Sequence, residues 1–193
     1  MNKRGFIGSC LALASLPAGA QVAPAARPSG PALLTITGAI GKTNRGAFDP
    51  GSDVLMSKHK LDFSSAYAID WQALTRLSSK TIRPTLEYDN KPHQLTGPSL
   101  LDVLALAKAK TSDSATLALR AIDGYAPTIT VNDARRYGFM VATHRDGVPL
   151  HVGGLGPLWA VYEADRFPEI AAKPVAQRFA TCPWGLYHIE VRA

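Results

Sequence analysis

The residues best placed to do chemistry lie between Arg145 and Val161. An arginine and an aspartate open a tight turn at Asp146-Gly147, His151 follows, and Gly153-Gly154-Leu155-Gly156-Pro157 leads into Leu158-Trp159-Ala160-Val161. Asp-Gly is a strong hairpin dipeptide. Glycine lets a backbone approach a partner closely and take positive φ. A glycine-rich loop between two apolar runs can cradle a flat polar ligand, or it can simply close a crowded β-corner. Hydrolytic and phosphate-binding chemistry has no signature, since GxSxG, HExxH and P-loop patterns are all missing. His59, His93, His144, His151 and His188 are dispersed, without zinc-ligand spacing, and no metal site is expected.

The elements that would hold this stretch follow from local patterns. Leu33–Ile40 alternates as a first strand, and Phe63–Tyr67 is a short one. Asp70 is placed to cap a helix running to Leu77. Thr81–Tyr88 reads as a strand opening at Pro84, and His93–Thr96 returns after the turn Asp89-Asn90-Lys91-Pro92. Ser99-Leu100-Leu101-Asp102 resembles a capping box, with Leu100, Leu101, Val103, Leu104 and Leu106 on the buried side. Lys108 and Lys110 suit that helix's C-terminal dipole. Ala115–Ile122 and Thr128–Val131 are strands around an Asp123–Pro127 turn, and Asn132 is placed to cap a helical turn to Tyr137. Arg166–Phe179 reads as a polar, proline-bearing loop with room for one helical turn, and Gly185–Val191 closes as an alternating strand. Many short strands with few helices predict an α+β domain with a mixed, mainly antiparallel sheet.

The 193 residues begin with Lys3 and Arg4, an apolar run Ile7–Leu16, and the small residues Ala18-Gly19-Ala20. That is the pattern of a secretory signal, with a run too short to span a bilayer. Cleavage near Ala20 would leave 173 residues, and net charge would fall from +6 to +4 as Lys3 and Arg4 depart. Residues 21–32, rich in Ala, Pro and Gly, read as a flexible leader, and residues 33–193 as one domain. With Cys10 in the apolar run, Cys182 would be the sole cysteine left, so no internal disulfide is expected. The positive charges are scattered, and nothing resembles a nucleic-acid stripe.

Five pieces occur in an order that resembles the molybdopterin-binding domain of the sulfite oxidase class. They are Gly97–Leu104, Ala121–Tyr125, Ala142–Leu150, Gly156–Trp159 and Trp184–Val191. That class carries a metal-bound cysteine in the segment matching Thr81–Tyr88, which holds none here. Its phosphate-clamping histidine and arginine correspond to Gly154-Leu155 and Trp159. Gly38–Asn44 and Ile82–Thr85 are instead similar to the periplasmic pterin-binding proteins of the PruR type, with Tyr88 where a tryptophan is usual. That resemblance implies an exported protein that binds a reduced pterin without catalysis of its own. It also implies a partner, the periplasmic domain of an inner-membrane enzyme of cyclic di-GMP signalling. The alternative it leaves open is a molybdopterin-dependent oxidoreductase with an atypical metal site.

A pterin needs an aromatic face, a carboxylate for its N–H edge and a cation for its carbonyl. Tyr88 or Trp159 can supply the face, Asp123 the carboxylate, Arg83 or Arg145 the cation, and Asn44 a bidentate amide; Tyr125 carries an orienting hydroxyl. Each of these also has a plain reading as a turn, surface or core residue. Trp184 reads as core.

Overall fold

The computed structural model describes residues 27–193, so the expected signal segment and residues 21–26 of the leader lie outside the described residues. In chain order the first half holds β1 (Ala32–Gly38), α1 (Val54–Lys58), β2 (Tyr67–Asp70), α2 (Trp71–Thr75), β3 (Ser79–Ile82), β4 (Leu95–Pro98) and α3 (Leu100–Leu106). The second half holds β5 (Thr116–Ala121), β6 (Thr128–Thr130), α4 (Val131–Arg136), β7 (Met140–Ala142), β8 (His144–Arg145), β9 (Val148–Pro149), β10 (Trp159–Val161), α5 (Pro168–Ala171) and β11 (Leu186–Arg192). The domain is α+β and mainly antiparallel, as its sequence predicts.

Three sheets carry the fold: a five-stranded one of order β2-β1-β11-β5-β6, a four-stranded one of order β3-β4-β8-β9, and the pair β10-β7. Among the described residues only β1 with β11 runs parallel, with Thr35 opposite His188 and Gly38 opposite Val191. Leu34, Ile36, Leu117, Leu119, Ile189 and Val191 face a core shared with Leu100, Val103 and Leu104 of α3. β7 and β10 are buried along their whole length, so they read as continuous apolar runs rather than as alternating ones.

The outer face of the large sheet is covered as well. Thr35, Thr37 and His188 are buried there. The long segment between β1 and β2 is pinned over this face. Arg45 donates to Thr35 Oγ1 at 3.3 Å and pairs with Asp53, while His59 Nδ1 meets the Tyr187 hydroxyl at 2.7 Å. His188 Nε2 bonds Thr37 Oγ1 at 2.9 Å, and burial pushes its pKa down to about 4, so the ring stays neutral.

Capping explains where the helices begin. Ser99 Oγ accepts from Asp102 N at 3.0 Å, the serine half of the expected box, while the Asp102 carboxylate accepts from the Ser99 hydroxyl at 2.6 Å rather than from its backbone N–H. Asp70 caps α2 through Ala73 N at 2.8 Å. Several local expectations are corrected. Thr130, not Asn132, caps α4, because the chain turns helical straight out of β6 and Thr130 Oγ1 meets Asp133 N at 2.9 Å. The strand expected at Phe63–Tyr67 starts only at Tyr67. Lys108 and Lys110 lie beyond α3, which ends at Leu106. Leu101 and Leu106 are only partly buried. The helical turn expected within Arg166–Phe179 does form, as α5. The end of the leader is not loose: Ser29 N and Gly30 N donate to Asp70 at 2.8 and 3.2 Å, and Ala32 already belongs to β1.

Gly97 shows how tightly the sheets meet. A Cβ there would lie 2.1 Å from the Val141 carbonyl oxygen and 2.9 Å from Ala142 Cα, both backbone atoms of buried β7. We expect Gly97→Ala to cost about 3 kcal/mol, since neither strand can retreat. A urea titration of the variant beside wild type checks this; an unchanged midpoint would contradict the close packing of β4 on β7.

Candidate functional site

The Asp146-Gly147 turn forms as its dipeptide predicts. Asp146 (φ 51°) and Gly147 (φ 81°) both lie in the left-handed region, and β8 pairs with β9 across them. The hairpin then runs into the glycine loop, which folds back on itself. Gly154 N and Gly156 N both donate to the His151 carbonyl, at 3.2 and 3.1 Å. A Cβ on Gly156 would sit 2.5 Å from the Leu150 carbonyl carbon. Close approach of the chain to its own backbone therefore requires that glycine. Between hairpin and loop remains a cavity of about 190 Å³, lined by Arg145, Val148, Pro149, Leu150, His151, Gly154 and Leu155. Its walls are apolar apart from one guanidinium, one imidazole and backbone.

Arg145 is held from behind. His93, on the loop between β3 and β4, sits between two carboxylates: Nδ1 meets Asp146 at 2.6 Å and Nε2 meets Asp89 at 2.8 Å. An Arg145 terminal nitrogen lies 3.0 Å from His93 Nε2, and its guanidinium is 3.6 Å from each carboxylate. The hydrogen bond to Asp146, and then that to Asp89, hold the His93 pKa above the ordinary 6.5 against the opposing effect of burial. Hydrogen bonds from His93 in turn lower both carboxyls below the ordinary 3.8. Nothing in the sequence marks His93 or Asp89 as site residues, and Asp146 stands out there as a turn residue. The four-residue spacing of Asp89 and His93 is visible there, but the partner 53 residues away at Asp146 leaves no local trace.

The proposed pterin contacts separate into groups. Ile122 N donates to the Gly185 carbonyl at 3.0 Å, and Gly185 N donates to the Leu155 carbonyl at 3.2 Å, so Gly185 links the strand end before Asp123 and Tyr125 to the glycine loop. Asp123 is exposed and accepts from Tyr125 N at 2.9 Å, which is its turn role. Tyr125 is 51% exposed and its hydroxyl donates to the Ala180 carbonyl. Tyr88, 52% exposed, sits on the His93 loop; burial of its hydroxyl end, together with Glu87, raises its pKa to about 12. Arg83 is exposed, with its backbone N–H donating to Glu163 at 3.1 Å.

Two expected contacts are turned elsewhere. Asn44 gives its bidentate amide to the backbone of Ala68, Nδ2 to the carbonyl at 2.9 Å and Oδ1 from the N–H at 2.6 Å, so it stitches the covering segment to β2. Trp159 is 1% exposed, and its Nε1–H donates to the Cys182 carbonyl at 2.9 Å; it is core and offers no face to a ligand. Trp184, expected in the core, is 37% exposed instead. Cys182 is buried and burial pushes its thiol pKa far up, which keeps it protonated and unreactive. Among the described residues no group of His, Cys, Asp and Glu is arranged to hold a metal ion, and no helix is long and apolar enough to cross a membrane.

No protein-family model and no curated protein matches the chain. Among solved structures it is similar to the sulfane dehydrogenase SoxCD from Paracoccus pantotrophus, at 12% identity and a TM-score of 0.53. The match covers 82% of this chain and 37% of that one, so the present chain spans little more than a third of the neighbour's length. At that identity the likeness speaks for the fold, and it supports a sulfite-oxidase-like domain.

Proposed function

We propose that this protein binds a reduced pterin in the periplasm and reports it to the periplasmic domain of an inner-membrane enzyme that makes or degrades cyclic di-GMP. The observation that carries the reading is the Arg145 cavity. It offers one guanidinium for a carbonyl oxygen and apolar walls for a flat ring, while Tyr88, Tyr125 and Asp123 lie outside its lining and enter the proposal from the sequence. The closeness to PruR-type proteins rests on Gly38–Asn44 and Ile82–Thr85, and the export on residues 1–20. Relay to a partner requires that loaded and empty forms differ in affinity for it.

The fold likeness to a sulfane dehydrogenase favours a second reading, a molybdopterin-dependent oxidoreductase with an atypical metal site. The residues fit it poorly. The segment Thr81–Tyr88 has no cysteine, and the thiol of Cys182 is buried and protonated.

Protein purified anaerobically from the periplasm should release, after denaturation and oxidation, a simple pterin at about one per chain. Arg145→Gln should lower retention about tenfold, the worth of a charge-assisted hydrogen bond, without lowering the unfolding midpoint. Asp123→Ala combined with Tyr88→Ala should abolish it. Recovery of the oxidised derivative of molybdopterin, with molybdenum, would move the protein to the second reading. An empty extract from protein that also refuses added tetrahydropterin would overturn both.

A further inference from the structure

His93 Nε2 has two neighbours that it cannot serve at once. Asp89 at 2.8 Å is a carboxylate and can only accept, whereas the Arg145 terminal nitrogen at 3.0 Å can only donate. With a proton on Nε2, the ring bonds Asp89. Without it, the Nε2 lone pair takes an N–H from Arg145. Nδ1 remains on Asp146 at 2.6 Å in both states, so the ring does not need to move. Arg145 is also the one guanidinium lining the cavity beyond.

We propose that the ionisation of His93 sets whether Arg145 is available to a ligand in the cavity. The protonated ring binds Asp89 and Asp146 and releases Arg145 toward the cavity; the neutral ring draws Arg145 back. Asp89 from the same loop, and Asp146 and Arg145 from the β8–β9 hairpin, are the charged groups that face the imidazole. Both carboxylates stay ionised through the neutral range, because their pKa values lie below the ordinary 3.8. Within this cluster of four, only the His93 proton changes there. The sign follows: the site is open to an electron-rich ligand below the His93 midpoint and withdrawn above it. The inference rests on the pterin reading only for the identity of that ligand.

Two measurements on the full chain separate the switch from that reading. The first follows the His93 ring nitrogens and the Arg145 side-chain N–H signals by NMR from about pH 5 to pH 9. Both sets should move with one midpoint, and Asp89→Asn, which removes the negative charge that favours the protonated ring, should lower it. Arg145 signals that ignore the His93 titration, or a His93 that does not titrate in this range, would overturn the switch. The second measures tetrahydrobiopterin binding by anaerobic equilibrium dialysis. Affinity should be about fivefold higher on the acid side, the worth of one regained hydrogen bond. The break should shift with Asp89→Asn and vanish in His93→Gln. If the NMR midpoints coincide and no pterin binds at any pH, the switch stands and the pterin reading fails. Binding that is flat across the coincident midpoint would overturn the link between His93 and the cavity.

Discussion

Trp159→Ala should destabilise the protein by about 4 kcal/mol, and Trp159→Phe by about 1–2 kcal/mol. The indole is 1% exposed, lies 6.0 Å from the Phe179 ring between centroids, and donates to the Cys182 carbonyl at 2.9 Å. Alanine leaves a void between β10 and the 179–182 segment and strips a buried carbonyl of its donor. Phenylalanine refills most of the space and restores no hydrogen bond, so the difference between the two isolates the packing. Denaturant unfolding at fixed temperature gives both numbers. The pair also tests the site: Trp159→Phe should retain pterin as wild type does. A phenylalanine variant of undiminished stability that loses its pterin would put the indole back among the ligand contacts.

The second large effect is at Asp70. One buried carboxylate accepts from Ala73 N at the start of α2, from Ser29 N and Gly30 N in the segment before β1, and from the Ser29 hydroxyl. Asp70→Ala removes a helix cap and leaves backbone donors unpaired, at a combined cost of about 2–3 kcal/mol. These bonds, the one from Ala73 foremost, lower the Asp70 pKa from the ordinary 3.8 to about 2 despite burial. A depressed carboxyl contributes stability that is present above its unfolded value and lost as pH falls through the folded one. The advantage of wild type over Asp70→Asn should therefore be constant near neutrality and shrink between about pH 4 and pH 2. Unfolding free energies of the two proteins across that range decide it. A gap that stayed level down to pH 2 would mean that the charge of Asp70 does not hold the segment before β1.

The parts of the fold written in local pattern were legible. Ser99 and Asp102 announce α3, Asp146-Gly147 announces the hairpin, and the alternation of Thr116–Ala121 and Leu186–Arg192 announces two central strands. Segments whose structure is set by distant partners were not. The run from Gly41 to Ala66 has little periodicity, because its anchors are single side chains, Arg45 on Thr35 and His59 on Tyr187. At the site, the glycine loop and Arg145 stand out by composition and position. The His93 network that holds Arg145 from behind joins residues 53 apart through side chains alone. Trp159 and Trp184 could not be told apart by type, since each lies beside a proline or apolar residues, yet one faces the core and the other solvent.

The parallel pairing of β1 with β11 has a consequence for how the chain reaches its native state. β11 lies between β1 and β5 in the sheet, so among the described strands the last in chain order joins the first to the rest. Until Leu186–Arg192 is present, β1 and β2 have no hydrogen-bonded connection to β5 and β6. Such long-range closure is slow to form. The five-stranded sheet therefore cannot close before Leu186–Arg192 has been made.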